Sequence, residues 1–113
     1  MKQHLIGWCR GIAVFLLCGS FGPLALSLRA QSGGETLFKQ KCAVCHGADG
    51  KGQTTIGKAD KIRDLGSAEV QAQSDDELAG IIGNGKNKMP AYGKSLKPEQ
   101  IKDLVAFIRT LKK

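Results

Sequence analysis

The sequence predicts an all-α domain in which three or more helices surround one bound cofactor. Apolar residues recur at helical spacing in the second half of the chain, and no stretch shows the apolar and polar alternation of a half-buried strand. The folded part is also short, covering residues 31–113 once a targeting segment is set aside. A domain of that size has a thin core, which an apolar cofactor at its centre would complete.

The beginning of the chain has the pattern of a secretory signal peptide. A basic stretch without acids is followed by an uncharged apolar run over residues 11–28, and Ala30 supplies a small residue at the cut. We therefore expect a signal peptide over residues 1–30, cleavage after Ala30 and an exported mature domain. Because an uncharged run of this length is just sufficient to span a bilayer, a retained membrane anchor is the alternative.

Cleavage would simplify the chemistry of the chain. The leader contains Cys9, Cys18 and His4, so the mature domain would keep one close pair of cysteines and one histidine. An exported domain with a single such pair has no disulfide framework. The formal charge of +7 for the whole chain would fall to a mildly basic value, which gives no indication of nucleic-acid binding.

The first half of the mature domain is predicted to hold one helix and one long loop. A helix over residues 35–41 begins with an acid and ends with lysines, as the helix dipole favours. The glycine-rich residues 47–66 form an irregular loop, which is too long to be ordinary unless it packs against the cofactor. Its expected apolar contacts are Ile56, Ile62 and Leu65.

A second helix is predicted to begin at Asp75. Ser74 and Glu77 have the spacing of a capping box, in which each side chain bonds the backbone N–H of the other residue. Gly83 or Gly85 would end the helix, because glycine adopts the left-handed conformation at low cost.

The last helix is the most strongly patterned. Pro98 suits its first position, where the missing N–H is not needed. Apolar residues then recur on one face at Ile101, Leu104, Val105, Ile108 and Leu111. We expect this helix to run to the C-terminus. Residues 86–96, which precede it, show no periodicity and are predicted as a loop.

The chemistry of the chain is concentrated in the motif Cys42-Ala43-Val44-Cys45-His46. This spacing is typical of c-type haem attachment, in which two thiols add to the haem vinyl groups and the adjacent imidazole reaches the iron. A structural zinc site needs a second pair of ligands, and a thioredoxin-like motif adjoins a βαβ pattern. The sequence shows neither, so we predict one covalent haem c, bound by Cys42 and Cys45, with His46 as an axial iron ligand.

Met89 is the predicted second axial ligand. It is the only methionine of the mature domain, and Pro90 favours an extended backbone at Met89, from which a loop can present the side chain. A thioether ligand raises the reduction potential relative to two nitrogen ligands. With both axial positions filled, the iron offers no open site to a substrate. The sequence therefore predicts an electron carrier and not an enzyme.

These motifs resemble the class I cytochrome c family. Gly34 and Phe38, followed by the cysteine motif, resemble its N-terminal helix and haem-binding turn. Residues 84–92 resemble its methionine loop, and residues 104–109 resemble its C-terminal helix, whose aromatic residue (here Phe107) packs against the first helix. The resemblance implies a small monohaem cytochrome of the short bacterial or photosynthetic type, in the periplasm or the thylakoid lumen.

The chain departs from the family in one respect. Such cytochromes often have a proline between the motif and the methionine whose carbonyl accepts the histidine Nδ1–H, and no proline lies between His46 and Met89. Because this hydrogen bond orients the imidazole, we expect a backbone carbonyl in residues 54–58 to replace it.

Lysines flank the methionine loop at Lys86, Lys88 and Lys94. Since the family exposes one haem edge near this loop, the lysines would form a basic rim that steers acidic docking surfaces of redox partner proteins. The other interpretation is a solvated loop that keeps the protein soluble.

The leading functional hypothesis is therefore exported one-electron transfer between redox partners, with membrane contact only through those partners. One alternative is a haem-based gas-binding or sensing protein in which Met89 leaves the iron. The other is an anchored cytochrome subunit of a respiratory complex, which would retain its leader.

Overall fold

A computed structural model describes the backbone of residues 24–113 and the side chains of residues 33–113. Most of the predicted signal peptide, residues 1–23, lies outside the described residues. No helix in the described part is long and apolar enough to cross a membrane. Residues 24–113 form six helical segments and no strand, in the order α1 (Leu24–Lys41), α2 (Ala43–His46), α3 (Thr55–Ala59), α4 (Ala68–Gln71), α5 (Asp75–Asn84) and α6 (Pro98–Thr110).

The first helix is longer than predicted. It begins at Leu24 and passes through residues 31–34, where the sequence predicts a polar lead-in. Leucine, alanine, arginine and glutamine are good helix formers, and they dominate residues 24–31. The backbone therefore stays helical up to the motif cysteines.

The start of α5 confirms the predicted capping box. The Ser74 hydroxyl accepts the backbone N–H of Glu77 at 3.1 Å, and the Glu77 carboxylate accepts the backbone N–H of Ser74 at 2.7 Å. The helix begins at Asp75 and ends at Asn84. Gly85 follows with φ of 76°, which is the positive value that ends a helix at low cost for glycine.

The last helix, α6, begins at Pro98 as predicted, but it ends at Thr110 and not at the C-terminus. It crosses α1 at very close range. A Cβ atom added to Gly34 would lie 2.1 Å from the carbonyl oxygen of Asp103, so glycine is required at this crossing. Beside it, Phe38 and Phe107 pack with ring centroids 5.0 Å apart. The crossing predicted from the family resemblance is therefore present.

Two short helices precede α5: α3 lies within the loop predicted over residues 47–66, and α4 follows that loop. Thr54 caps α3 by accepting the backbone N–H of Gly57 at 2.9 Å, and Ser67 caps α4 in the same way for Val70 at 3.4 Å. Helices of four or five residues are too short to show an apolar period, so only their capping residues could have indicated them.

Among residues 33–113, nine apolar residues are buried, most of them on α1, α5 and α6: Phe38, Val70, Leu78, Ile82, Leu96, Leu104, Val105, Phe107 and Ile108. Six of the nine face a cavity in the interior of the domain: Phe38, Val70, Leu78, Ile82, Leu104 and Ile108. Much of the buried apolar surface therefore faces this cavity as well as the neighbouring helices.

Candidate cofactor site

The cavity has a volume of about 530 Å³. That value lies within the range of ligand and cofactor pockets, roughly 300–1,000 Å³. All four residues predicted for the cofactor reach its lining: Cys42, Cys45, His46 and Met89. The first three come from residues 41–57, here called the histidine wall. Met89 comes from residues 85–93, here called the methionine wall.

The motif residues lie on one tight turn that continues α1. The backbone N–H of Cys42 bonds the carbonyl of Phe38 at 2.8 Å, and that of His46 bonds the carbonyl of Cys42 at 2.9 Å. The short helix α2 therefore carries Cys45 and His46, and Cys42 is its N-cap residue. Cys42, Cys45 and His46 are each half-buried, and both thiols are free.

Side-chain and backbone groups of the following loop donate hydrogen bonds to the carbonyls of this turn. The Thr54 hydroxyl donates to the carbonyl of Cys45 at 2.7 Å, and the N–H of Gly52 donates to the carbonyl of His46 at 2.7 Å. A Cβ atom on Gly57 would lie 2.2 Å from the Gly52 oxygen and 2.7 Å from the Cys45 oxygen. The histidine wall thus depends on backbone packed against backbone.

The methionine wall presents Met89 from a two-residue turn. Lys86 and Met89 exchange backbone hydrogen bonds of 3.2 Å and 2.9 Å. Asn87 occupies the turn with φ of 53°, a left-handed value that asparagine tolerates better than most residues. The sequence predicts an irregular loop here. The structure instead shows a turn in which both the N–H and the carbonyl of Met89 are hydrogen-bonded.

Tyr92 also lines the cavity, although no site role was predicted for it. Its hydroxyl donates to the backbone carbonyl of Lys41 at 3.2 Å, across the cavity. Its backbone N–H donates to the carbonyl of Ile82 at 3.0 Å. A half-buried tyrosine usually finds a partner for its hydroxyl, which is the one signal that could have marked it.

Burial favours the neutral forms of Cys42 and His46. It raises the pKa of the Cys42 thiol to about 11, with a smaller contribution from the neighbouring Cys45. A thiol with that pKa is protonated at neutral pH and is a poor nucleophile for thiol exchange. Burial also lowers the pKa of His46, which favours the neutral imidazole that binds iron.

Alternative metal chemistry finds no support in the described residues. Within residues 33–113, no three or more His, Cys, Asp or Glu side chains come together as a metal site would require. A structural zinc site uses four such ligands.

The predicted partner of the imidazole is not found. His46 Nδ1 is buried without a hydrogen-bond partner, so no carbonyl of residues 54–58 accepts from it. Within this stretch, the Thr54 hydroxyl bonds Cys45 instead. The nearest ring to the imidazole is that of Phe38, with centroids 6.3 Å apart.

The three predicted apolar contacts of the loop divide into two groups. Ile62 and Leu65 line the cavity, as expected. Ile56 does not, because it lies on the outer side of α3 with 42% of its surface exposed. The prediction for Ile56 is therefore wrong, since α3 turns this side chain toward solvent.

These residues fit a haem. The lining combines an apolar interior with two free thiols, a neutral imidazole and a thioether, which are the groups that attach haem c and bind its iron. The class that the fold and the site define is a small all-α protein that encloses one covalently bound cofactor.

The comparisons with known proteins agree with this class. Residues 29–108 match the family described as cytochrome c oxidase, cbb3-type, subunit III. Cytochrome c6 of Nostoc sp. is 37% identical, over 87% of this chain and 83% of its own. Cytochrome c6 of Thermosynechococcus vestitus is 32% identical, over 96% of this chain and 91% of its own. The solved structure of the KustC0563 c-type cytochrome is 36% identical with a TM-score of 0.66, over 71% of this chain and 98% of its own.

The chain belongs to the class I cytochrome c family, as a small monohaem member. Its function is electron transfer through a covalently attached c-type haem between redox partner proteins, and it is a carrier rather than an enzyme. The all-α cytochrome c fold and the haem predicted from the sequence are thereby confirmed.

Proposed function

We propose that Cys42 and Cys45 form the two haem thioethers and that His46 and Met89 are the axial ligands of the iron. The observation that carries the proposal is the meeting of these four side chains, from the histidine wall and the methionine wall, on the lining of one apolar cavity. Bound haem supplies reversible one-electron chemistry between ferrous and ferric iron.

The protein residues tune that chemistry in three ways. Met89 contributes a soft thioether, which favours the ferrous state. The apolar lining, with Leu78 and Leu104 among its residues, lowers the local dielectric and keeps water from the iron. The two cysteines fix the position of the cofactor relative to His46, so that little reorganisation accompanies each electron transfer.

The attachment is tested by intact mass on protein made in a cytochrome-maturing host. The parent should carry one haem adduct, and the double variant Cys42→Ala with Cys45→Ala should carry none. The Thr110→Val variant, which changes a residue outside the cavity, should keep the adduct. A parent protein without an adduct would contradict the proposal.

The axial role of Met89 is tested by Met89→Ala. We expect the ferric haem to shift toward high spin and the reduction potential to fall, because a soft ligand is lost. Lys88→Gln changes the neighbouring residue and should leave both properties in place. An unchanged spectrum in Met89→Ala would exclude Met89, and ready binding of carbon monoxide to the reduced parent would favour the gas-binding alternative.

We also propose that the carrier is exported and works in the periplasm or the thylakoid lumen. Support comes from the basic and apolar pattern of residues 1–30, which a signal peptidase would remove after Ala30. The same intact-mass measurement tests this, since a mature protein that still contains residues 1–30 would instead indicate the anchored subunit.

Acidic docking surfaces on the redox partners complete the proposal. Lys86 and Lys88 line the cavity, whereas Lys94, the third lysine predicted for the rim, does not. The other charged residues of the lining are Lys41, Lys61, Arg63 and Asp60. A basic rim accelerates encounter with an acidic partner, and salt screens the attraction. Electron transfer should therefore slow as ionic strength rises, and an unchanged rate would favour the interpretation as a solvated loop.

A further inference from the structure

One hydrogen bond joins the two walls of the cavity, and it belongs to Tyr92. The hydroxyl of Tyr92 donates to the backbone carbonyl of Lys41 at 3.2 Å. Lys41 immediately precedes Cys42, and Tyr92 follows Met89 by three residues. The bond therefore links the end of the methionine wall to the start of the turn that carries the cysteines.

Three backbone N–H groups of the methionine wall, those of Gly85, Tyr92 and Gly93, bond carbonyls at the end of α5, and the Tyr92 carbonyl accepts from the N–H groups of Ser95 and Leu96. The N–H of Gly85 bonds the carbonyl of Ile81 at 2.9 Å, and the N–H of Gly93 bonds the carbonyl of Gly83 at 2.9 Å. These two bonds lie at the two ends of the wall. These bonds alone would allow the segment between them to move away from the cavity together with Met89, unless a contact with the histidine wall prevents it.

Two side chains of the methionine wall, Lys88 and Tyr92, contact the opposite side of the cavity, and they differ in how exposed they are. Lys88 forms an ion pair with Asp60 at 2.5 Å, but the Lys88 side chain is 76% exposed, so water can replace its partner at little cost. Tyr92 is half-buried and packs against the core cluster with its ring. Its hydroxyl is thus directed at Lys41 by a ring that is itself held in place.

We infer that Tyr92 is a positioning residue for the axial ligand. Its hydroxyl holds Met89 toward the iron by tying the methionine wall to the histidine wall at Lys41. The inference rests on the proposed ligation by Met89. Phenylalanine at this position would keep the ring contacts with the core and would lose only the tie.

The test is a titration of the ferric holoprotein with imidazole, which competes with methionine for the iron. We call the conformation in which Met89 has moved away from the iron the open state. Loss of the hydrogen bond from Tyr92 to Lys41 should raise the population of this state. Tyr92→Phe should therefore bind imidazole about three- to fivefold more tightly than the parent. The far-red absorption band of ferric methionine-ligated haem should persist without imidazole and disappear at lower imidazole concentration.

Thr110→Val is the matched control. The Thr110 hydroxyl also donates to a backbone carbonyl, that of Phe107 at 2.7 Å, but Thr110 does not line the cavity. This variant should lose a similar free energy of unfolding and leave the imidazole affinity unchanged.

Equal imidazole affinity in Tyr92→Phe and the parent would overturn the inference, as would an equal rise in Thr110→Val. Absence of the far-red band in the parent would overturn the ligation by Met89 and the inference with it. The failure of the tie alone is distinguished from that case because the parent band would then be present.

Discussion

Backbone packs most closely on backbone in the histidine wall, whereas the methionine wall has looser backbone contacts and depends more on hydrogen bonds. On the first, Gly57 leaves no room for a Cβ atom against the carbonyls of Gly52 and Cys45. On the second, the segment is held by backbone hydrogen bonds to the end of α5, a two-residue turn at Asn87 and one tyrosine hydroxyl. We therefore expect the first wall to move only when the domain unfolds and the second to open locally. On this basis the two proposed axial ligands, His46 and Met89, are secured by different amounts of free energy.

The largest effect is expected from Gly57→Ala on the histidine wall. The added Cβ atom would lie 2.2 Å from the Gly52 oxygen, so backbone must shift. We expect a loss of about 3 kcal/mol or more in the free energy of unfolding, measured by denaturant titration. Gly80→Ala is the control, because nothing lies within 4 Å of its Cβ position on α5, and it should stabilise by about 0.5–1 kcal/mol. Similar values for the two variants would contradict the description of this wall.

Thr54→Val should have the next largest effect. It removes both the cap of α3, where Thr54 accepts the N–H of Gly57, and the bond to the carbonyl of Cys45. Together these should cost about 2 kcal/mol of unfolding free energy. Thr54→Ser retains the hydroxyl and should recover most of it. If the histidine wall moves only on global unfolding, neither variant changes the imidazole affinity of the ferric protein.

Asn87→Ala tests the methionine wall in the same two measurements. The residue has φ of 53°, where alanine is strained by about 1 kcal/mol and glycine is not. We expect Asn87→Ala to bind imidazole about fivefold more tightly, because the strained turn favours the open state. Asn87→Gly should match the parent. An Asn87→Ala variant that lost global stability without any gain in imidazole affinity would show that this wall does not open locally.

How much of the fold and the site could be predicted depends on how many residues of local sequence determine each feature. The helices α5 and α6 were predicted at their first residues, because Ser74 and Pro98 mark a start and the apolar period then continues for ten or more residues. The four residues predicted for the cofactor are Cys42, Cys45, His46 and Met89. They were singled out because cysteine, histidine and methionine are rare in residues 31–113. Their placement on one cavity needed the structure, and their roles remain proposals.

The elements that the sequence did not indicate are held by contacts between distant residues. The turn at Asn87 depends on two backbone bonds that no side-chain pattern reports. The tie of Tyr92 joins residues 51 positions apart, and the burial of His46 Nδ1 without a partner is a property of packing alone. The outward orientation of Ile56 likewise follows from how α3 sits on Cys45, where Gly57 must face inward.

The smallest effect is expected from Lys88→Gln. The ion pair with Asp60 crosses the mouth of the cavity, but Lys88 is 76% exposed. Loss of this ion pair should lower the free energy of unfolding, measured by denaturant titration, by less than about 0.5 kcal/mol. Added salt should remove the difference from the parent. The control is Lys39→Gln, which breaks an exposed pair with Glu35 far along α1 and should cost a similar amount. A clearly larger cost for Lys88→Gln would mean that the methionine wall is fastened more firmly than its exposed contacts imply.

The contact between Gly34 and Asp103 has a consequence for the biogenesis of the protein. It joins the first described helix to the last, so the domain cannot close until Asp103 has left the ribosome. Its two thiols would also remain accessible to haem attachment until α6 docks on α1 and completes the fold.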